Sequence, residues 1–366
     1  MTQRIVVKVG TSSLTAGTTQ LKRAAMLTIV QQLAALHQRG HEVILVSSGA
    51  QAAGRERLGY PELPKAMPAK QMLAAVGQSR LMQLYNELFD IFEIPVAQVL
   101  LTRDDLSHRV RYLNARDTLQ MLLEQRIVPI INENDTIATE EIRVGDNDNL
   151  SALVASTLEA DLLIILTDQQ GLYTADPRSN PNAELISTVV QIDDAVFALA
   201  GGAGSKGGTG GMITKLQAAQ VASRSGVVVV VASANVESVI ARLVGGESIG
   251  TRFLPTGTHL ESRKRWLMTD RVQGQVVVDA GAEKVLTAKG SASLLPVGIK
   301  SCTGKFKRGA TLAVVSHTGK ELAHGISNYD VEDLERIIGQ KSARIIEILG
   351  YSYGDEVIHR DNLVMM

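Results

Sequence analysis

Short apolar runs alternate with longer amphipathic segments over the first 255 residues of the chain. The apolar runs lack polar alternation, which predicts strands that are buried on both faces of a sheet. They are residues 4–9, 42–47, 94–100, 127–131, 161–166 and 227–232. Apolar residues with helical spacing lie between them, in segments 22–39, 70–92, 113–125, 150–158 and 211–224. This alternation predicts an α/β fold, with an open, mostly parallel sheet sandwiched by helices.

The pattern changes after residue 255. Residues 256–273 are polar and basic and predict a linker. From residue 274 onward, short strand-like runs are separated by turns that contain glycine, and one helix is predicted near residues 331–338. We therefore expect a larger domain at 1–255 and a small β-rich domain at 274–366.

Composition and charge limit the classes of function. The chain has 366 residues, of which 45% are hydrophobic and 20% are charged, and its formal net charge is −1. This composition is typical of a soluble globular protein. The small net charge argues against recruitment of nucleic acid or an anionic membrane by the electrostatic field of the whole protein. The single cysteine, Cys302, cannot form an internal disulfide, and the N-terminus enters a strand-like run directly. With no run of about 18 apolar residues, we expect a cytoplasmic protein without a membrane span.

Candidate chemistry lies where the predicted strands end, because ligands of open parallel sheets bind beyond the carboxyl ends of the strands. Lys8 stands inside the first apolar strand, just before a glycine. A buried lysine needs a partner of opposite charge, so it is rarely only structural. Ser48 lies in "SSGA" at the end of the second strand. That turn suits either an anion site or a plain helix N-cap.

Two later strands also end in polar clusters. "INENDT" follows the fourth strand and contains Asp135, while Thr167 and Asp168 begin a long polar loop after the fifth. Between these, "VGDNDNLSA" places Asn147 and Asp148 among four consecutive polar residues just before a helical run. A helix cap needs one such residue, so the surplus favours a functional role.

"GGTGGMITK" places glycines ahead of a helix that carries Lys215 in its first turns. Free N–H groups, the helix dipole and a lysine together form a cradle for a polyphosphate. The alternative is a flexible loop. No Walker A motif occurs, and the G-x-G-x-x-G match at residues 202–207 follows a helix-like segment instead of a strand, which argues against a dinucleotide fingerprint.

Other kinds of site have less support. The seven histidines are scattered, "DNDNLS" lacks the glycine and distal glutamate of an EF-hand, and no G-x-S-x-G motif is present. Two isolated lysines with Asp and Asn side chains between them remain. This set suits phosphoryl transfer, which depends on neutralising charge and positioning the reactants.

Together these motifs closely resemble the amino-acid-kinase superfamily, and within it the branch that phosphorylates glutamate at the start of proline biosynthesis. The resemblance extends over essentially the whole chain, including a C-terminal segment similar to a PUA domain. It rests on "VVKVGTSSLT", "SSGAQAAGRERLG", "INENDT", "VGDNDNLSA", "LTDQQGLYTADPRSNP" and "GTGGMITKLQAA". It implies the amino-acid-kinase fold, ATP and Mg²⁺ as cofactors, L-glutamate as substrate, proline as a feedback inhibitor and a homo-oligomer (dimer or tetramer).

The resemblance also implies residue roles. Lys8 and Lys215 are expected to act in phosphoryl transfer, with Asp148 holding both. Glutamate is expected to bind against three residues, Ser48, Asp135 and Asn147. ATP is expected to contact Lys8, Thr167, Asp168, Thr209, Gly210, Gly211, Met212, Ile213, Thr214 and Lys215.

Two alternatives stay open at this point. One is another member of the superfamily that acts on a different carboxylate or phosphate. The other is an RNA-binding protein, through the PUA-like tail. Residues 274–366 contain 11 Lys and Arg against 11 Asp and Glu, so they form no basic stripe. The local group of Lys300, Lys305, Lys307 and Arg308 is interpreted as a solvated face. Because every expected catalytic residue precedes position 216, we expect the tail to be dispensable for the chemistry.

Overall fold

The computed structural model describes residues 2–138, 146–200, 211–259, 261, 271–288 and 292–366. The chain divides into two compact units. The first comprises Met1–Ser107 and Asn114–His259, and the second comprises His108–Leu113 and Leu260–Met366. Most of the predicted linker lies outside the described residues, so the domain boundaries stay a prediction.

An eight-stranded sheet forms the centre of the first unit. Its strands are β1 Arg4–Val9, β2 Glu42–Ser47, β3 Val96–Leu101, β4 Val128–Glu133, β5 Leu162–Thr167, β6 Thr188–Val189, β7 Val228–Ser233 and β8 Thr251–Phe253. Their order is β3-β4-β2-β1-β5-β7-β8-β6. Neighbours from β3 to β7 are parallel, while β8 runs antiparallel to β7. The predicted mostly parallel α/β sheet is confirmed.

Ten helices of the first unit are described, some of them short. They are α1 Thr11–Thr15, α2 Arg23–Gln38, α3 Ala50–Arg57, α4 Met67–Asp90, α5 Arg103–Ser107, α6 Arg109–Glu124, α7 Asp146–Thr157, α8 Asp194–Ala200, α9 Met212–Arg224 and α10 Val239–Val244. The N-terminal residues of α6 belong to the second unit. Helix α7 begins four residues before the predicted 150–158, and β4 ends two residues after the predicted 127–131. Both extensions consist of polar residues, so the spacing of apolar residues does not predict them.

The central strand β1 contributes to two separate cores. Ile5, Val7 and Val9 pack in the core that includes α2 and α4. Val6 packs in the other core, on the face of the sheet covered by α7 and α9. Successive side chains of a strand point to opposite faces, so Lys8 points to the same face as Val6. This alternation directs the lysine toward α7 and α9.

Helices α3 and α4 cross at two glycines. A Cβ atom at Gly54 would overlap the carbonyl oxygen of Leu73, and one at Gly77 would overlap that of Ala50. The two backbones therefore approach more closely than any side chain would allow. Because α3 follows the turn that contains Ser48, this crossing fixes α4 relative to that turn.

The second unit contains a five-stranded sheet in the order β10-β9-β11-β12-β13. Its elements are β9 Gly274–Val278, α11 Ala280–Thr287, β10 Ile299–Gly304, β11 Thr311–Val315, β12 Glu321–Ile326, α12 Val331–Ile337, α13 Ile345–Leu349 and β13 Leu363–Met365, with 3₁₀ turns at Pro296–Gly298, Ser342–Arg344 and Arg360–Asn362. The predicted β-rich domain and its helix near 331–338 are confirmed. Within the same unit, Leu113 packs with Ile326 and Val364. Across the described parts of both units, no helix has the length and apolarity needed to cross a membrane.

We predict that Gly77→Ala destabilises the protein by about 1–3 kcal/mol, because the added methyl group overpacks a backbone contact. At an ordinary helix position, the same change stabilises by roughly 0.5–1 kcal/mol. The sign of the change in the free energy of urea unfolding therefore shows whether Gly77 lies at a close backbone contact or at an ordinary helix position. Ser79→Ala, at an exposed position of the same helix, is the control and should change stability by less than about 0.5 kcal/mol. A stabilised Gly77→Ala variant would contradict the close crossing.

Candidate active site

Two lysines from different elements contact opposite oxygens of one carboxylate. The Nζ atom of Lys8, on β1, lies 2.6 Å from Oδ1 of Asp148. The Nζ atom of Lys215, on α9, lies 3.3 Å from Oδ2 of the same residue. Lys8, Asp148 and Lys215 retain only 7%, 1% and 6% of their exposure. The three residues that the sequence placed at the centre of the chemistry are therefore neighbours in the fold.

Small residues bring the two helices close enough for this contact. Asp148 precedes Ala152 by one turn of α7, and Lys215 precedes Ala219 by one turn of α9; both alanines are fully buried. Residues four apart lie on the same face of a helix. Asp148 and Lys215 therefore lie on the same helix faces as these buried alanines, at the end of the core toward which Lys8 also points.

Burial and the neighbouring charges shift the pKa values of Asp148 and Lys8. Burial acts to raise the pKa of Asp148, but the ammonium groups of Lys8 and Lys215 outweigh it, together with hydrogen bonds from Lys8 and Thr214. The pKa of Asp148 is therefore below its ordinary value. Burial lowers the pKa of Lys8, and the charge of Lys215 adds to this effect against the attraction of Asp148. Among the described contacts of this cluster, two ammonium groups face one carboxylate, an excess of positive charge that suits an anionic ligand.

Two hydroxyl groups add to the hold on Asp148. Thr214 Oγ1 lies 2.7 Å from Asp148 Oδ2 and 2.8 Å from the carbonyl oxygen of Gly211. The hydroxyl has one hydrogen and can donate fully to one of these acceptors at a time. Ser151 Oγ donates to the carbonyl oxygen of Asp148 at 2.6 Å. Thr214, expected from the resemblance to contact ATP, thus also contacts the carboxylate that holds the lysines.

Beside the lysines, the structure brings together two of the residues expected to bind substrate. The Nδ2 group of Asn147 donates to Ser48 Oγ at 2.9 Å. Gly49, at the turn after Ser48, has a φ of 109°, a left-handed conformation that glycine adopts most readily. The Oδ1 atom of Asn147 is buried and accepts no hydrogen bond from the described residues. An acceptor is thus left available next to the lysine cluster.

Asp135, the third residue expected to bind substrate, lies just beyond the end of β4. Burial raises the pKa of its carboxyl group, and a hydrogen bond from the side chain of Gln51 partly offsets that effect. Gln51 is in the first turn of α3, three residues after Ser48. Asp135 is therefore linked to the same helix start as Ser48.

Apart from Lys8 on β1, the described residues expected to bind the nucleotide lie at the end of β5 and the start of α9. Thr167 is buried at the end of β5, and its hydroxyl donates to Asp168 Oδ1 at 3.0 Å. Gly211 is the N-cap of α9, and Met212, Ile213 and Thr214 form its first turn. A helix start capped by glycine, which has no side chain to satisfy the first N–H groups, suits a phosphate. Thr209 and Gly210 lie outside the described residues.

Three amide residues join this region without having been singled out from the sequence. Gln51 lies in α3, a short helix that the spacing of apolar residues does not predict. Asn132 belongs to "INENDT", where only Asp135 was chosen, and it is 2% exposed. Gln78 lies on the apolar face of α4, four residues after the buried Ala74. A polar residue within an apolar helical face is the signal that could have identified it.

We predict that Asp148→Asn lowers both kcat and stability. Removing the charge leaves two lysines buried without their partner, which costs about 3–5 kcal/mol. Because the pKa of Asp148 is lowered in the fold, its stabilisation is present above the ordinary carboxyl pKa of about 3.9 and is lost as the pH falls toward the folded value. Urea unfolding at pH 7 and pH 3 should therefore show a smaller difference between variant and parent at the lower pH.

The control is Asp176→Asn, which removes an exposed carboxylate paired with Arg178. It should leave kcat and the unfolding midpoint unchanged, since exposed ion pairs contribute little. An Asp148→Asn variant with the parent's kcat would exclude a role for this carboxylate in organising the lysines.

Two family models and two curated relatives identify the family of this chain. The model of the Amino acid kinase family matches residues 3–233, and the PUA domain model matches residues 274–349. A Glutamate 5-kinase from Herpetosiphon aurantiacus is 56% identical and covers 99% of this chain and 98% of its own length. Another, from Serratia marcescens, is 54% identical and covers 99% of both chains. Among solved structures, a UMP kinase from Bacillus anthracis covers 70% of this chain and 97% of its own, at 16% identity and a TM-score of 0.49. The chain belongs to the amino acid kinase family, and within it to the glutamate 5-kinases that carry a C-terminal PUA domain.

Proposed function

We propose that this protein transfers the γ-phosphoryl group of ATP to the γ-carboxylate of L-glutamate, the first step of proline biosynthesis. The observation that carries the proposal is the pair of buried lysines on one carboxylate, next to the open acceptor of Asn147. The relatives named Glutamate 5-kinase match the chain over nearly its whole length, which supports glutamate as the acceptor. The product is L-glutamyl 5-phosphate.

The reaction needs little acid–base chemistry. The γ-carboxylate is ionised at neutral pH, because a glutamate side chain has a pKa of about 4.3. One carboxylate oxygen forms a bond to the γ-phosphorus while the bond from that phosphorus to the bridging oxygen of ADP breaks, and ADP leaves with the electron pair. No proton has to be transferred. The main difficulty is that two anions must meet, so positive charge and positioning lower the barrier.

Lys8 and Lys215 supply that positive charge. Asp148 holds both ammonium groups at fixed positions, and their burial limits screening by water. Groups that are already ordered before the reaction stabilise charge as it develops and need no reorganisation in the transition state. We therefore assign the two lysines to the transferring phosphoryl group and Asp148 to their orientation.

Glutamate is assigned to the polar residues beside the lysines. The buried Oδ1 atom of Asn147 can accept a hydrogen bond from the substrate ammonium group. Asp135 can add an ionic contact to the same group, and Ser48 presents a hydroxyl at the start of α3. Asn147 and Asp148 are consecutive residues of α7, so this helix places the substrate side directly next to the lysines.

The nucleotide is assigned to the end of β5 and the start of α9. The expected contacts are Thr167, Asp168 and residues 209–215. In the described parts of the chain, no group of three or more His, Cys, Asp or Glu side chains is arranged to hold a metal ion. Since Mg²⁺ binds mainly through nucleotide phosphates and one or two carboxylates, we treat it as part of the MgATP substrate.

Further proposals rest on the resemblance alone. They are feedback inhibition by proline, assembly into a homo-oligomer and a cytoplasmic location. Proline carries an α-carboxylate and an ammonium group, as glutamate does, so it could compete for the same contacts. We also assign the chemistry to the first unit, since every assigned residue precedes position 216.

RNA binding by the second unit is not favoured. The Nζ atom of Lys307 lies 2.9 Å from Asp330 Oδ2 and 3.5 Å from Glu332 Oε2. Arg308 is 6% exposed, and its guanidinium carbon lies 3.9 Å from the ring centre of Tyr353. Two of the four residues Lys300, Lys305, Lys307 and Arg308 are therefore engaged within the unit, and Arg308 is buried, which corrects its interpretation as part of a solvated face.

We predict that Lys8→Ala and Lys215→Ala each lower kcat by about 10²-fold or more, with a smaller change in the KM for glutamate, because the charge acts mainly in the transition state. ATP-dependent formation of the hydroxamate from glutamate and hydroxylamine traps the acyl phosphate and measures this rate. Arg224→Ala, at the exposed far end of α9, is the control and should match the parent.

The same assay identifies the acceptor when aspartate, acetylglutamate or uridylate replaces glutamate and ADP release is measured. A preference for one of these would assign the chain a different substrate. Parent-like kcat values for both lysine variants would exclude the proposed phosphoryl-transfer site.

We predict that Asn147→Ala raises the KM for glutamate by about tenfold or more and changes kcat less, since it removes a contact to bound substrate. Asn149→Ala, two residues later in the same helix, is the matched control and should leave KM unchanged. If Asn147→Ala lowers kcat and spares KM, then the roles of Asn147 and Asp148 have been exchanged.

A further inference from the structure

A chain of side-chain amides connects helix α4 to the start of α7. Asn132 Nδ2, at the end of β4, donates to Gln78 Oε1 at 2.8 Å. Asn132 Oδ1 accepts from Asn147 Nδ2 at 3.0 Å, and Asn147 Nδ2 also donates to Ser48 Oγ. Gln78 thus reaches the substrate-binding residues through one intermediate side chain.

A backbone group fixes the direction of every bond in this chain. The N–H of Glu133 donates to Asn132 Oδ1 at 2.9 Å, and a backbone N–H can only donate. The atom facing it is therefore the oxygen of Asn132, which leaves the Nδ2 group facing Gln78. Gln78 must then present its Oε1 atom, and Asn147 must present its Nδ2 group to Asn132.

The outcome is a defined orientation of the Asn147 amide. Its two N–H hydrogens are used by Asn132 and Ser48, so its Oδ1 atom is the group left over, buried and without a partner in the described region. An oxygen at that place favours an ammonium group, while a rotated amide would present donors and repel it. The orientation of one amide therefore decides which kind of substrate group fits.

Gln78 reinforces the orientation that the Glu133 N–H sets, because its Oε1 atom accepts from the Nδ2 group of Asn132. It follows Gly77, one of the two glycines at which α3 and α4 touch, and it is half-buried on the inner face of α4. The same contact holds the turn that carries Ser48. Gln78 and Ser48 therefore act on the amide chain from two elements with a fixed separation.

We propose that Gln78 is a positioning residue that helps to select substrates with an α-ammonium group: together with the Glu133 N–H, it holds Asn132 in the orientation that directs Asn147. The proposal rests on the proposed function, in which Asn147 Oδ1 accepts from that ammonium group. Gln78 acts on the substrate only through the other two residues. A purely structural role, in which Gln78 only satisfies the buried amide of Asn132, is the competing explanation.

The test compares two ligands that differ in the ammonium group alone. L-Glutamate is measured by KM and kcat, and glutarate, which has both carboxylates and no ammonium, is measured by its competitive inhibition constant. Gln78→Met keeps the shape of the side chain and removes the acceptor. We expect it to raise the KM for glutamate about tenfold, with kcat within about threefold and the glutarate constant within about twofold.

Gln78→Glu keeps an acceptor oxygen for Asn132 and should restore a KM within about threefold of the parent. Gln83→Met, at an exposed position of α4, should change nothing. If Gln78→Met does not fold, Gln78→Ala removes the same acceptor with a strong helix former and is measured in the same way.

Three outcomes would overturn the proposal. An unchanged KM in the variants lacking the acceptor, alongside a raised KM in Asn147→Ala, would remove Gln78 and leave the proposed function intact. A parallel rise in the glutarate constant would assign Gln78 a structural role only. An unchanged KM in Asn147→Ala would reject the proposed substrate site itself, and the role of Gln78 with it.

Discussion

The carboxylate of Asp148 between two buried ammonium groups is the interaction on which the site depends. Burying either ammonium group at 6–7% exposure is unfavourable without a partner of opposite charge, and one carboxylate contacts both. Removing the Asp148 carboxylate is strongly destabilising, because it leaves two buried ammonium groups without this partner. It is also well suited to an anionic ligand, because the positive charge exceeds the negative. Stability and function thus draw on the same three side chains.

Helix α7 joins the two halves of the proposed reaction. Asp148 faces the lysines, while the preceding residue, Asn147, faces Ser48 and Asn132. Consecutive residues of a helix point about 100° apart, so a single turn can serve two neighbouring sites. The start of α7 therefore largely sets the distance between the γ-carboxylate of bound glutamate and the phosphoryl group. A rigid helix start suits a reaction that depends on positioning.

The close crossing of α3 and α4 extends this rigidity to the substrate side. Gly54 and Gly77 let the two backbones touch, and this fixes Gln78 relative to Ser48. Amides differ from charged groups in that either end can face a partner, so a site that uses them must specify their orientation. Here the backbone N–H of Glu133 sets the orientation of the Asn132 amide, and Asn132 in turn sets the orientation of Asn147.

By itself the sequence determined the parallel sheet, the two kinds of domain and the motifs that end each strand, because apolar periodicity and strand-end chemistry are local. It singled out Lys8, Asp148 and Lys215, since charges next to buried strands and helix starts are rare without a function. The resemblance led us to expect Asp148 to hold both lysines, but only the tertiary structure decided the geometry of those contacts and that Gln78 reaches Asn147. Those contacts join residues 15 to 140 positions apart in the chain. They follow from strand order and helix crossing, which no local pattern encodes.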